Sequence, residues 1–381
     1  MDKSAVGKPM SLGFIGGSLN SAVGYTHAIS STMDNRWAIQ AGCFSTDKER
    51  NRATAQAYDV SADRVYDSWQ ELLEKEKGRL DAIAILTPTP SHFEMVMGCL
   101  KAGFPIICEK TLAMNSADVR TVLDYCDKNK GFLVFTYNYS GYPMVRELRN
   151  MIQKGVLGKI LHFQAEMPQE GYVRVDAHGN KPVPQSWRLN DGQMPMIYLD
   201  LGSHLHQLMY YLVRQRPVEV IADQNSYGWF PGVIDNVACL CRYTEGIQGQ
   251  IWFSKSALGN RNGLRFRIYG SEASAEWYQA NPEDLVLCQK DGSRTIVDRA
   301  SSVEVANLRR YNRFKAGHPA GFIEAFSNVY FDIADCLIQY KETGRWESKD
   351  VFDVRMLLND ISFCEKMIAS IDSRSWQKVN L

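Results

Sequence analysis

Three residues from two distant parts of the sequence have side chains able to donate or accept a proton. Lys110 follows the apolar run FPIIC, and Asp200 and His204 stand four residues apart in the segment LDLGSHLHQL. On a helix this spacing puts a carboxylate beside an imidazole, where it can fix the ring's tautomer and hold its pKa near working pH. A lysine can stabilise an oxygen on which negative charge develops. The set suffices to take a hydroxyl proton while a hydride leaves the same carbon, so we predict oxidoreductase chemistry.

Each of these residues also has a structural interpretation. Asp200 and His204 can be a polar pair in the core, and Glu109 with Lys110 can be a surface ion pair at the end of a strand. A zinc site at His204 and His206 is disfavoured, because their spacing has poor geometry on a helix and a third ligand is missing. We therefore predict no metal, and we keep catalysis as the leading hypothesis because the lysine and the Asp–His pair occur together.

The N-terminal third of the chain alternates short apolar runs with helical patterns. This alternation predicts a parallel sheet joined by right-handed crossovers, as in dinucleotide-binding domains. Ligands of such sheets bind at the carboxyl ends of the strands. We therefore expect Gly16, Ser45, Thr87 and Lys110 to share one rim.

The segment GFIGGSLNSAVG follows the first predicted strand directly. Glycines at this turn let the backbone approach a pyrophosphate, which the N-terminus of the next helix binds. Gly16 fits the first position of the G-x-G-x-x-G fingerprint, whereas Ser18 and Ser21 stand at the second and third positions. The residues predicted to contact the cofactor here are Gly16, Gly17, Ser18, Leu19 and Asn20.

The second predicted strand ends at Ser45, without the acidic residue that usually binds the ribose of NAD. Lys48, Arg50 and Arg52 follow, and these bases together with the serine can accept the 2′-phosphate of NADP. They can equally be the exposed face of a helix. The sequence therefore leaves both NAD and NADP open as cofactors.

Beyond about residue 142 the pattern changes to alternating strands, which predict an antiparallel sheet. Between the first two of these strands lies a long loop, PQEGYVRVDAHGNKPVPQSWRLNDGQMP. Loops of this length are usually functional, and this one offers the polar and aromatic side chains that a sugar needs. We expect Gln185, Trp187 and Arg188 to face the substrate. His318, in RFKAGHPAGFIEAF, is a further candidate, unless it only occupies a helix-entry turn.

The chain resembles the Gfo/Idh/MocA oxidoreductases over nearly its whole length. The segments that carry the resemblance, in order, are the Gly-rich turn, LTPTPSH, CEKTLA, YNYSGYP, GVLGKI, WRL and LDLGSHLHQL. The resemblance implies that Lys110 is the catalytic lysine beside the nicotinamide, with Thr111 in place of the family's usual proline. It implies that His204 is the general acid/base and Asp200 its partner. Further residues that it places at the cofactor are Thr87, Pro88, His92, Glu109 and Asn138.

The resemblance also implies an α/β architecture with two domains. Residues 1–138 would form a Rossmann NAD(P)-binding domain, and residues 139–381 an α/β domain with a large open, mostly antiparallel sheet. The C-terminal helices would pack back on the first domain. The open sheet face implies a homodimer or homotetramer, and the family's substrates are sugars, polyols or their derivatives.

The composition excludes several other classes of function. The 43 basic and 43 acidic residues cancel, so no global field recruits nucleic acid or an anionic membrane. No run approaches the roughly 20 apolar residues of a membrane span, and the N-terminus shows no apolar leader segment. Nine cysteines without C-x-x-C spacing indicate reduced thiols, so we predict a cytoplasmic protein.

The leading prediction is an NAD(P)-dependent oxidoreductase that acts on a hydroxyl or keto carbon of a sugar, polyol or sugar derivative. A redox-neutral glycosidase that uses bound NAD transiently is one alternative. A non-catalytic dinucleotide or sugar sensor is another, although the joint presence of Lys110, Asp200 and His204 argues against it.

Overall fold

The computed structural model describes residues 8–379. The chain divides into two units, Met1–Gly141 with Phe322–Leu358, and Tyr142–Gly321 with Asn359–Leu381. A segment of the predicted second domain, Phe322–Leu358, therefore belongs to the first unit. Residues 1–7 and 380–381, including the start of the N-terminal segment predicted to lack a leader, lie outside the described residues. No helix within residues 8–379 is long and apolar enough to cross a membrane.

A five-stranded parallel sheet forms the centre of the first unit, in the order β2-β1-β3-β4-β5. Its strands are β1 (Met10–Gly16), β2 (Trp37–Cys43), β3 (Ala82–Leu86), β4 (Ile106–Cys108) and β5 (Leu133–Phe135). Helices of its crossovers are α1 (Gly24–Thr32), α2 (Lys48–Ala57), α3 (Trp69–Lys75), α4 (His92–Ala102) and α5 (Ser116–Asn129). Strand β3 is buried along its whole length, as apolar runs covered on both faces should be. The predicted parallel sheet is confirmed.

A nine-stranded sheet forms the second unit, in the order β13-β12-β11-β10-β6-β9-β8-β7-β14. Its strands are β6 (Ile160–Pro168), β7 (Pro217–Asn225), β8 (Asn236–Tyr243), β9 (Gln248–Ser254), β10 (Arg265–Gly270), β11 (Ala273–Tyr278), β12 (Leu285–Gln289), β13 (Arg294–Val297) and β14 (Gln377–Lys378), and its first two helices are α6 (Pro143–Gln153) and α7 (Ser203–Val213). Neighbouring strands pair antiparallel except β6 and β9, which are parallel. The mostly antiparallel sheet is therefore confirmed, although the sequence did not predict β12, β13 or β14.

Two long helices occupy the C-terminal part of the described chain, α8 (Phe322–Thr343) and α9 (Val354–Ser373). Phe326, Tyr330 and Ile333 of α8 lie in one hydrophobic core with Leu12 and Phe14 of β1. This burial of large apolar side chains explains why α8 belongs to the first unit although it follows the second sheet in the sequence.

The turn between β1 and α1 depends on its glycines. Gly16 and Gly17 have φ angles of +81° and +76°, which side-chain-bearing residues rarely adopt. A Cβ on Gly24 would lie 2.2 Å from the carbonyl oxygen of Gly17. Gly24 therefore provides the close helix packing that the fingerprint assigns to its third glycine. The Ser21 hydroxyl, at the position expected from the spacing, instead accepts a hydrogen bond from the Gly24 N–H at 3.2 Å.

Candidate active site

The acidic residue that precedes Lys110 lies inside the first unit. Glu109 is 9% exposed, and its Oε1 accepts hydrogen bonds from His27 Nε2 at 2.8 Å and from Thr136 Oγ1 at 2.5 Å. Because an ionised carboxylate only accepts, Nε2 of His27 carries the proton. The other ring nitrogen, Nδ1, lies 2.8 Å from the hydroxyl of Tyr330. These contacts connect α1, the ends of β4 and β5, and α8.

The charge on Glu109 is stabilised within the unit. Burial opposes its ionisation, but the hydrogen bond and charge of His27, the Thr136 hydroxyl and the charge of Lys110 outweigh burial and lower the pKa of Glu109 to about 2. Glu109 is therefore a carboxylate at neutral pH. The interpretation of Glu109 and Lys110 as a surface ion pair is wrong, since the carboxylate is buried. Lys110 itself is half-buried and directly follows this anchored residue.

His92 connects the loop after β3 to the segment that follows Lys110. Its Nδ1 lies 2.7 Å from the carbonyl oxygen of Thr111, and its Nε2 lies 2.6 Å from that of Thr87. Burial lowers the pKa of His92, and a neutral ring donates to only one of these carbonyls at a time. His92 therefore links the backbone at Thr87 to the backbone at Thr111, next to the predicted cofactor residues.

The residues predicted to bind a dinucleotide stand at the carboxyl ends of the parallel strands. Ser18 is half-buried, and Leu19 and Asn20 are exposed after the β1 turn; Thr87 and Pro88 follow β3. Asn138 follows β5 and is buried, and within residues 8–379 its Nδ2 has no hydrogen-bond partner. A buried amide with unused donors, and a glycine turn that leaves room for a pyrophosphate, both fit a nicotinamide dinucleotide.

The end of β2 does not offer a free acidic group near the predicted ribose position. The Ser45 hydroxyl accepts a hydrogen bond from the Asp47 N–H at 3.1 Å. Asp47 caps α2 by accepting a hydrogen bond from the Arg50 N–H at 2.8 Å. Lys48, one of the bases considered for a 2′-phosphate, forms an exposed ion pair with Asp67 at 2.6 Å.

In the second unit, two cationic side chains hold Asp200. Its Oδ2 accepts a hydrogen bond from Lys255 Nζ at 2.5 Å and another from Arg188 Nη1. The side chain of Lys255 is 7% exposed and that of Arg188 is 24% exposed. The structure thus brings Arg188, which was predicted only to face the substrate, to Asp200, and Lys255 is an additional partner.

The helix that carries Asp200 and His204 is not regular. Asp200 lies in a π-helical turn, Tyr198–Gly202, and the α-helix α7 begins only at Ser203. The prediction of one continuous α-helix across Asp200 and His204 is therefore wrong at its first turn. His204 is buried, at 7% exposure. Single π-turns inside helices occur frequently at functional sites.

His206 is buried, and its side chain contacts two residues of α9. Its Nδ1 is 2.5 Å from Oδ1 of Asp360, and both residues are almost fully buried. Its ring stacks on Phe363 with 4.7 Å between the ring centroids. The pair joins α7 to α9, which agrees with a structural role for this second histidine.

The three loop residues predicted to face the substrate form one cluster. Trp187 Nε1 donates to Gln185 Oε1 at 3.1 Å, and the Arg188 guanidinium lies 4.4 Å from the centroid of the Trp187 ring. The Tyr172 hydroxyl donates to the backbone oxygen of Arg188 at 3.2 Å. Burial, reinforced by the Asp200 carboxylate, raises the pKa of Tyr172, so the phenol is a neutral donor.

His318 is exposed on the loop that precedes α8. Its ring lies 4.6 Å from that of Phe314, and its backbone oxygen accepts a hydrogen bond from Arg299 Nη2 at 2.8 Å. These contacts fix the backbone of the loop. That His318 contacts the substrate stays a prediction.

Comparison with known proteins identifies the family. Residues 10–137 match the model of the oxidoreductase family with an NAD-binding Rossmann fold, and residues 145–276 match the GFO/IDH/MocA C-terminal domain. YfiI of Bacillus subtilis, described as an uncharacterized oxidoreductase, is 30% identical over 339 residues, which cover 86% of each chain. The chain belongs to the Gfo/Idh/MocA family of oxidoreductases. The predicted family and fold class are confirmed.

Other Gfo/Idh/MocA relatives have more specific descriptions. A myo-inositol 2-dehydrogenase of Thermotoga maritima is 24% identical over 255 residues, covering 65% of this chain and 71% of its own. The structure of an inositol dehydrogenase homolog from Azotobacter vinelandii, complexed with NADH and myo-inositol, is 25% identical, with a TM-score of 0.87 and 98% coverage of both chains. The structural likeness therefore extends over both units of this Gfo/Idh/MocA chain.

Sequence patterns miss three residues of this Gfo/Idh/MocA chain: His27, Tyr172 and Lys255. Lys255 directly follows β9, whose last three residues include Trp252 and Phe253, just as Glu109 directly follows β4. The same signal, a charged residue at the end of a buried strand, would have identified it. His27 lies 82 positions before its partner Glu109, and no local pattern indicates that contact.

We predict that Glu109→Gln weakens the dependence of stability on acidic pH. The folded-state pKa of Glu109, about 2, lies below the usual value, so its contribution is present near neutral pH and is lost as pH falls from about 4.5 towards 2. At pH 7 the variant should lose on the order of 3 kcal/mol of unfolding free energy. Urea unfolding between pH 7 and 2 measures both effects.

The matched control for this measurement is Glu342→Gln, an exposed glutamate near the end of α8. It should leave the curve unchanged. A Glu109→Gln curve that runs parallel to the wild-type curve through this pH range would show that the carboxylate is not stabilised as described.

Proposed function

We propose that the protein is an NAD-dependent dehydrogenase or reductase acting on a hydroxyl or keto carbon of a sugar, polyol or sugar derivative. The main support for the proposal is the position of Lys110. This lysine directly follows Glu109, whose buried hydrogen bonds with His27 and Thr136 anchor it at the end of β4 in an NAD-binding Rossmann unit. The substrate class is supported by relatives described as a myo-inositol 2-dehydrogenase and a levoglucosan dehydrogenase. Incubation with NAD and a panel of inositols and sugars, with NADH absorbance as readout, tests it.

In the proposed reaction, bound NAD supplies the hydride acceptor for the carbon that is oxidised. The Lys110 ammonium donates a hydrogen bond to the substrate oxygen and stabilises the negative charge that develops there. The His204 imidazole takes the hydroxyl proton, and in the reverse direction it returns that proton. Asp200 fixes the position of this segment through its contacts with Lys255 and Arg188. Gln185, Trp187 and Arg188 are the proposed contacts to the sugar.

Two alternatives lead to different products. A redox-neutral glycosidase would release an aglycone without accumulating NADH, and a sensor would bind dinucleotide and sugar without turnover. Assays of NADH and aglycone on the same glycoside panel separate all three functions. The half-buried Lys110, placed directly after the anchored Glu109, favours an enzyme.

We propose NAD as the preferred cofactor. Lys48 is engaged with Asp67, and the Ser45 hydroxyl is engaged with the Asp47 N–H, which reduces what this loop offers to a 2′-phosphate. The family model that matches residues 10–137 is described as NAD-binding.

Ser45→Asp should strengthen the preference for NAD over NADP at least tenfold, because a carboxylate at the ribose accepts hydrogen bonds from its hydroxyls and repels a phosphate. The ratio of dissociation constants, measured by titration of NAD and NADP, gives the preference. Thr46→Asp, one residue further along the exposed loop, is the matched control. An unchanged ratio in Ser45→Asp would show that Ser45 does not adjoin the ribose.

Lys110→Ala and His204→Ala should each lower kcat by roughly 10²–10⁴, with the Kd for NAD nearly unchanged. The double variant should lose little more than either single variant, because both groups serve one oxygen and its proton. Asp200→Asn should cost less than His204→Ala. Steady-state kinetics and NAD titration provide these values.

The matched control for the lysine is Lys101→Ala, an exposed lysine in the last turn of α4, which should retain full activity. Activity of Lys110→Ala within about threefold of wild type, on a proven substrate, would remove Lys110 from the mechanism.

We also propose a homodimer or homotetramer formed through the open face of the nine-stranded sheet, and a cytoplasmic location. In β8 every second residue is buried, and the opposite face presents Leu240, which is 49% exposed. Ile221 and Trp252 lie on the same face, since the strand register pairs Ile221 with Leu240 and Trp252 with Ala238. The location is supported by nine cysteines that are all free thiols.

Leu240→Glu should lower the molar mass in solution to that of the monomer at micromolar protein concentration, because it places a charge in an apolar contact. Size-exclusion chromatography with light scattering measures the mass. Leu258→Glu, at an exposed leucine between β9 and β10, should leave the assembly intact. A Leu240→Glu protein with the mass of the wild-type assembly would place the interface elsewhere.

A further inference from the structure

Lys255 is a buried lysine whose backbone is held on both sides. The residue is 5% exposed and directly follows β9. Its N–H donates to the Asp235 oxygen at 2.7 Å, and its own oxygen accepts a hydrogen bond from the Tyr172 N–H at 2.8 Å. The base of the side chain is therefore fixed between two other segments of the second unit.

The ammonium group of Lys255 is directed at the carboxylate of Asp200. Nζ lies 2.5 Å from Asp200 Oδ2 and 5.1 Å from the centroid of the Tyr172 ring. Burying an ammonium group is unfavourable unless it is paired, and breaking such a pair leaves the remaining charge uncompensated. The buried position of Lys255 thus depends on Asp200, and the position of the carboxylate depends on Lys255.

The second cation on the same oxygen differs in kind. Arg188 belongs to the long loop, its side chain is more than three times as exposed as that of Lys255, and it also contacts Trp187 and Gln185. Its guanidinium can exchange partners when a sugar hydroxyl enters, whereas the Lys255 ammonium is enclosed. Lys255 is therefore the permanent partner of Asp200.

We infer that Lys255 is a positioning residue of the active site, which holds the Asp200 carboxylate in its working position. The inference rests on the proposed function, because it assigns Asp200 to catalysis. If Lys255 acts through Asp200, removing the lysine should lower activity only while the Asp200 carboxylate is present.

A double-mutant cycle of Lys255→Met and Asp200→Asn tests this dependence. With wild-type Asp200, Lys255→Met should lower kcat with NAD and a polyol at least tenfold and leave the Kd for NAD within twofold. In the Asp200→Asn background the same change should cost less than threefold. Lys255→Arg, which keeps the charge, should restore part of the loss. Lys290→Met, which removes the lysine of an exposed ion pair with Glu272 in the same unit, is the matched control.

Equal losses from Lys255→Met in both backgrounds, or activity within threefold of wild type in the first, would overturn the inference. The urea midpoint of the cofactor-free proteins gives an independent readout, since Lys255→Met should shift it less in the Asp200→Asn background. Should Lys255→Met fail to fold, Lys255→Gln takes its place in the cycle. Wild-type protein that turns over no sugar or polyol refutes the proposed function instead, while the urea cycle still decides whether Lys255 and Asp200 are coupled.

Discussion

The position of Lys110 in the first unit depends on a buried charge, the carboxylate of Glu109 at the end of β4. A charged side chain can be buried at the end of a fully apolar strand only if neighbouring groups pair with it or form hydrogen bonds to it. His27 and Thr136 do this from α1 and from the end of β5, and Tyr330 completes the chain of contacts from α8. The residue after Glu109 is thereby set by three other elements of the unit.

The second unit follows the same rule with the signs reversed. A buried lysine, Lys255, directly follows the end of β9, and its ammonium group forms an ion pair with the carboxylate of Asp200. Here the carboxylate comes from a π-helical turn that directly precedes the regular helix carrying His204. In both units, charge compensation inside the protein fixes a residue that the proposed reaction uses.

The sequence predicts the parallel sheet well because its strands are short, mostly apolar runs between helices, the clearest being AIAIL of β3. It misses β13, because RTIV is a short edge strand with little buried surface. It places Lys110 and Asp200 from local motifs. Their supporting partners are beyond its reach, since His27 and Glu109 are 82 positions apart and Lys255 and Asp200 are 55 positions apart. Contacts of that range follow from the fold and leave no periodic signal.

The most direct test of the proposed hydride transfer follows the transferred hydrogen itself. Sugars and inositols deuterated at their carbinol carbons are incubated with the protein and NAD, and the nicotinamide product is examined by mass spectrometry and proton NMR. We predict that oxidation of the reactive substrate is slower when its carbinol carbon is deuterated, and that the deuterium appears at C4 of the NADH formed. Product formation with no deuterium in the nicotinamide would contradict hydride transfer and with it the proposed function.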